Sequence, residues 1–286
     1  MSKSVSLVLG SGGARGLAHV GVIKYLEEND YQIKSIVGCS IGSAVGGFYC
    51  AGKLGEFESW MLSLDKSAIV SLLDISWSKS GLFKGEKVID KMRDLIGEMK
   101  IEELPLPFTA VAADLEHEKE VWLNKGSLFD AIRASVSLPL FFTPFEINGI
   151  KLVDGGVLNP VPIAPTFGDN TDLKIAVNLG GPLEKQVESN SEVENKNDWS
   201  NSFKEIFDNL KKATGQKNDD SWGMYDVSDK AFDTMQSAIA RQKIAAYPPD
   251  VEILIARNAC GTYDFDRSRE MIDLGYKKAK ESLTSS

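Results

Sequence analysis

The sequence predicts an α/β protein built on a parallel sheet. Two observations carry this reading: short apolar runs alternate with amphipathic stretches over the first fifty residues, and each run ends in a glycine-containing turn that leads directly into a helical pattern. The chain has 286 residues, 43% hydrophobic and 26% charged. That is enough to bury one large core, and we expect a single domain over 1–286.

The elements follow in order. Residues 5–9 read as a buried strand, 10–16 as a glycine-rich turn and 17–29 as a helix whose inner side carries Val20, Ile23, Tyr25 and Leu26. A second unit repeats the pattern, with a strand at 35–39, a turn at Ser40 and a Gly- and Ala-rich helix at 41–51 closed by Gly52. Further strands are expected at 108–113, 120–123, 151–153, 173–179 and 251–256, and helices at 85–99, 127–135, 228–246 and 266–283. The stretch 182–222 is dominated by Glu, Lys, Asn, Asp and Ser and reads as a polar insertion. Within it Phe203, Ile206, Phe207 and Leu210 keep helical spacing. This stripe either packs back on the domain, the reading we favour, or forms a lid that meets lipid.

Composition narrows the function. With 32 Lys and Arg against 41 Asp and Glu the formal charge is −9, which disfavours a nucleic-acid partner and simple electrostatic adhesion to anionic membranes. Transient membrane-surface contact would have to be hydrophobic. Residues 1–10 lack the pattern of a secretory signal, and no apolar run approaches the roughly 18 residues that span a bilayer, so a cytoplasmic location is expected. Cys39, Cys50 and Cys260 are an odd set without CxxC spacing. Reduced thiols are expected, with neither a disulfide framework nor a thiolate zinc site. Oligomeric state is not legible.

The most specific pattern is Gly38-Cys39-Ser40-Ile41-Gly42, a GxSxG placed directly after an apolar strand and before a helix. A serine on so sharp a turn needs small flanking residues, which Gly38 and Gly42 supply. The helix beginning at Ile41 points its positive end at the Ser40 oxygen. Cys39 should turn to the other face of the sheet and pack.

A second loop, Gly10-Ser11-Gly12-Gly13-Ala14-Arg15-Gly16, also joins strand to helix. Its exposed N–H groups suit either a dinucleotide pyrophosphate or the oxyanion of an acyl intermediate. The next strand decides between them. A dinucleotide site would carry an acidic residue there about twenty residues beyond the glycines, whereas this strand ends in the serine elbow.

A serine nucleophile needs a base, and the chain has two histidines. His19 falls in the first helix, where packing or hydrogen bonding accounts for it, and His117 lies in the charged turn Glu116-His117-Glu118-Lys119. Neither follows Ser40 near an acid at a strand end, as a triad would require. Asp154 in Leu152-Val153-Asp154-Gly155-Gly156 ends an apolar strand and is the candidate base, since desolvation would raise its proton affinity. Alone, it could equally begin an ordinary Asp-Gly turn.

Together these motifs, with the intervening Ala134-Ser135-Val136-Ser137-Leu138-Pro139 segment, resemble the patatin-like phospholipase family in order from Val5 to Pro162. Tyr263-Asp264-Phe265-Asp266, leading into a helix, is also similar to small bacterial members. The resemblance implies a three-layer α/β/α fold with a mainly parallel central sheet, a Ser40–Asp154 dyad, and hydrolysis of lipid or other acyl esters without cofactor or metal. It places oxyanion N–H donors at Gly12 and Gly13, and Arg15 as loop anchor or phosphate contact. Ser11 departs from the glycine found in many members. An acyltransferase using the same acyl-enzyme, or a regulatory lipid-binding protein with little turnover, are the alternatives.

Overall fold

The computed structural model describes residues 2–72, 83–184 and 224–284. One eight-stranded sheet organises them. Five parallel strands, β1 (Lys3–Leu9), β2 (Tyr31–Cys39), β3 (Phe108–Asp114), β7 (Leu173–Gly181) and β8 (Val251–Ala256), run in the order β3-β2-β1-β7-β8. The antiparallel strands β4 (Lys119–Leu123) and β6 (Ile150–Asp154) pair with β3, and β5 (Phe145–Ile147) pairs with β6.

Side-chain alternation along the central strands divides the molecule into layers. Leu7 and Leu9 of β1, with Ile175 and Val177 of β7, join the large core shared with α1 (Ala18–Glu28), α2 (Ile41–Cys50) and α8 (Ser268–Thr284). Val8 and Ala176 point the other way, onto Ala240 of α7 (Met224–Ala246). The result is the three-layer α/β/α arrangement. Because both faces are covered, these strands read as continuous apolar runs in the sequence.

Shorter helices line the side of the large core nearest the serine: α3 (Leu54–Ser63), α4 (Lys66–Leu72), α5 (Glu86–Ile96) and α6 (Leu128–Ser135). The Ser127 hydroxyl caps α6 by accepting the Asp130 N–H at 3.2 Å. The sequence reading finds neither α3, α4 nor β5, and its first helix begins instead as a 3-10 turn, Gly13–Leu17. Among the described residues no helix is long and apolar enough to cross a membrane. The stripe at Phe203, Ile206, Phe207 and Leu210, with all of the polar insertion beyond Glu184, lies outside the described residues.

The edges of β3 fix where the site forms. Ala110 and Val111 pair with β2 on one side and with β4 on the other, while Ala112 pairs with both Val121 of β4 and Asp154 of β6. A residue offers only two edges, so β2 and β6 occupy the same edge of β3, end to end. Cys39 is matched to Val111 and Asp154 to Ala112. The last residue of β2 and the last residue of β6 therefore abut.

Candidate active site

Ser40 turns the chain from β2 into α2 with φ 54° and ψ −125°, a region costly for a residue with a side chain. The turn closes because its glycines lack Cβ atoms: one at Gly38 would overlap the Gly42 carbonyl, and one at Gly42 would overlap the Leu9 carbonyl of β1. Both elbow glycines stand where close backbone approach demands them.

Asp154 is 1% exposed. Its Oδ1 accepts the Gly156 N–H at 2.7 Å, closing the Asp-Gly turn, so the turn and the buried carboxylate coexist. Burial raises the carboxyl to about 6, against opposing pulls from Ser40, the Gly156 N–H and Cys39. The Ser40 hydroxyl is near enough to exert that pull, yet Oδ2 makes no hydrogen bond of good geometry. The two groups are apposed rather than bonded. Cys39 is packed, as expected, but against this carboxylate: Sγ lies 3.9 Å from Oδ1, and burial with the neighbouring negative charge pushes the thiol well above its usual range. It stays a thiol.

Gly12 and Gly13 line the same cavity as Ser40 and Asp154. Gly13 has φ 58° and sits against the Thr262 carbonyl, which accepts the next N–H, that of Ala14, at 2.8 Å. Among the described residues no hydrogen bond engages the Gly12 or Gly13 N–H. Arg15 is buried and anchors the loop, donating from Nη1 to the Arg257 carbonyl at 2.7 Å and from Nη2 to Asp233 at 2.6 Å. Ser11 fits because its hydroxyl accepts from Gln236 at 3.1 Å.

The histidines stand apart. His19 is buried, with Nε2–H donating to the Gly10 carbonyl at 2.9 Å, and burial lowers it to about 4. It supports the glycine loop as a neutral ring. His117 is exposed and bonds Asp114 at 2.8 Å. Among the described residues no cluster of His, Cys, Asp and Glu could hold a metal ion.

From Ser40 the cavity, about 180 Å³, runs among apolar side chains of α2, α3 and α5, including Ile41, Phe57, Trp60 and Ile89. Several supports escape the sequence reading. Ser135 accepts the Ser40 N–H, the Ser137 carbonyl accepts the Asp154 N–H at 2.9 Å, and Asp233 and Gln236 reach in from α7. Ser135 and Ser137 belong to a segment quoted for its resemblance, but nothing in their spacing assigns them these bonds. Asp233 and Gln236 sit on a helix remote in sequence, and only the fold brings them in.

Comparisons with known proteins identify the family. Residues 7–167 match the family model for patatin-like phospholipase. An uncharacterised NTE family protein of Mycobacterium tuberculosis is 38% identical, over 99% of this chain and 92% of its own. A lysophospholipase of Yarrowia lipolytica is 30% identical over 62% of this chain, which corresponds to 13% of that longer protein. Among solved structures, VipD from Legionella pneumophila superposes with a TM-score of 0.48 at 15% identity, covering 99% of this chain and 67% of that one. With more than half of its length matched by one family model, and a relative aligned almost end to end, this chain belongs to the patatin-like phospholipase family.

Proposed function

We propose that this chain is a metal-independent lipid acyl hydrolase in which Ser40 is the nucleophile and Asp154 its base. One observation carries the reading: a serine on a strained elbow faces a buried carboxylate raised to about 6, at the mouth of an apolar cavity. The family and the lysophospholipase name of the Yarrowia relative support a lipid ester as substrate.

In this mechanism the acyl chain lies in the apolar cavity and Asp154 takes the Ser40 proton as Oγ attacks the carbonyl carbon. The Gly12 and Gly13 N–H groups receive the oxyanion, helped by the positive end of α2. Asp154 then returns the proton to the departing alcohol oxygen, and water repeats the sequence on the acyl-enzyme. The Gly156 N–H on Oδ1 holds the carboxylate in place and leaves Oδ2 for the proton.

Hydrolysis of an ester panel, from short chromogenic esters to phospholipids and lysophospholipids, tests the assignment. Ser40→Ala should abolish hydrolysis and fluorophosphonate labelling in a folded protein, and Asp154→Asn should be nearly as damaging. His19→Gln and His117→Gln should retain much of the activity. A folded histidine variant as inactive as Ser40→Ala would overturn the dyad.

A further inference from the structure

Beside the acyl cavity lies a second hollow of about 500 Å³, to which the reaction above gives no role. Leu138, Phe232, Gln236 and Tyr263 line both spaces. The groove's own walls include Leu115, Leu140, Met235 and Ile239, and no charged side chain lines it among the described residues. Leu115, Leu140 and Met235 are 51%, 60% and 55% exposed. Leu140 is also held at φ 67°, a left-handed conformation strained for any residue with a Cβ.

We infer that this groove is the leaving-group subsite, and that it takes an alcohol carrying its own hydrocarbon chain. The inference rests on the Ser40–Asp154 reading. A base that has taken the serine proton must return it to the departing oxygen, so the alcohol lies on the Asp154 side of Ser40. The chain leaves Asp154 through Gly155 into Gly156, and Gly156 lines the groove but not the acyl cavity. A Cβ at Gly156 would overlap the Gln236 carboxamide, so these two residues form the junction between the spaces. Among the described residues no Lys or Arg lines the groove to pair with a phosphate, whereas its apolar walls match methylene groups. The fitting substrate is a two-chain ester, with its acyl chain in the cavity and the hydrocarbon of its alcohol in the groove.

Binding to Ser40→Ala protein tests this without requiring turnover. Two non-hydrolysable ethers, one with two long chains and one with a single long chain and a methyl group, are titrated calorimetrically below their aggregation thresholds. Leu140→Asn combined with Met235→Gln should weaken the two-chain ether about tenfold, a change equal to roughly 1.4 kcal/mol, and leave the one-chain ether within about twofold. Both side chains are exposed, so the melting temperature should hold; each single variant, expected to show a smaller loss of the same kind, replaces the pair if it misfolds. Equal loss for both ethers, or no loss for either, overturns the inference. So does a loss confined to vesicle adsorption, which would assign the groove to a membrane surface. Failure of Ser40 as nucleophile would appear instead in the hydrolysis assays, with the two-chain preference intact.

Discussion

The hydroxyl of Ser135 accepts the backbone N–H of Ser40 at 2.9 Å and donates its own proton to the Val111 carbonyl at 2.7 Å. One side chain thus ties the elbow to β3. Two residues further on, the Ser137 carbonyl holds the Asp154 N–H. The end of α6 positions both members of the proposed dyad.

Removing that hydroxyl should therefore be felt twice. Ser135→Ala strands two buried backbone groups, at a cost of about 1–3 kcal/mol, and lets the elbow relax. We expect a lower urea midpoint and a fall in kcat for a short ester of about tenfold or more, with KM changed far less. A variant with full kcat would show that the elbow holds its shape unaided.

Asp154 and His19 make opposite demands as pH changes. The proposed mechanism needs the ionised carboxylate, so kcat/KM should rise with pH around a midpoint near 6 and level off above it. For stability, an aspartate raised from 3.8 to about 6 binds more proton when folded, so its ionisation erodes stability as pH climbs through that window. His19, lowered from 6.5 to about 4, binds more proton when unfolded, so acidification through its window erodes stability instead. The two slopes oppose each other between about pH 4 and 6. Asp154→Asn should be inactive yet more stable than wild type above pH 6, by about 2–3 kcal/mol, and should lose stability more steeply on acidification. Urea titrations of both proteins at pH 5 and 7.5 check the sign.

Arg15 and Asp233 form an ion pair whose side chains are 5% and 26% exposed. Asp233→Asn leaves a buried guanidinium without its anion and should cost about 1–3 kcal/mol, below the range for fully buried pairs. The glycine loop loses its anchor to α7, so kcat should drop more than KM rises. A double-mutant cycle with Arg15→Ala measures the coupling; a value near zero would mean that the Arg257 carbonyl alone holds the loop.

Hydrolysis should survive EDTA. Loss on chelation, with recovery on restoring Ca²⁺ or Zn²⁺, would contradict the proposed mechanism.

The sequence displays the Ser40 elbow and the glycine loop because each is local. Strand, turn and helix follow within ten residues, and the close approach at Gly38 and Gly42 demands small residues there. Parallel strands buried on both faces are equally legible as apolar runs, whereas β5, three residues long, is too short to show a period. The helices α3 and α4 are absent from the sequence prediction, although Phe57, Trp60 and Met61 of α3 do keep helical spacing; α4, seven residues long, buries only Ile69 and shows no stripe. The partners from α7 are invisible for another reason. Asp233 lies 218 residues from Arg15 and Gln236 lies 225 from Ser11, and no local pattern encodes such a meeting. Packing or hydrogen bonding accounts for His19 in the sequence, and the fold shows both, naming the Gly10 carbonyl as the partner.

The shared edge of β3 also bears on how the protein acquires its activity. The Ser40 elbow belongs to a compact N-terminal β-α-β-α run with short sequence separations, whereas Cys39 and Asp154 are 115 residues apart. Loop closure of that length is slow compared with local hairpins and helices. A nascent chain that has reached only β3 would carry the serine with nothing to deprotonate it, and so would be chemically silent. In the proposed mechanism hydrolysis cannot appear before β6 docks beside β2. During refolding, recovery of esterase activity would therefore lag formation of the elbow and would not precede the pairing of β6 with β3.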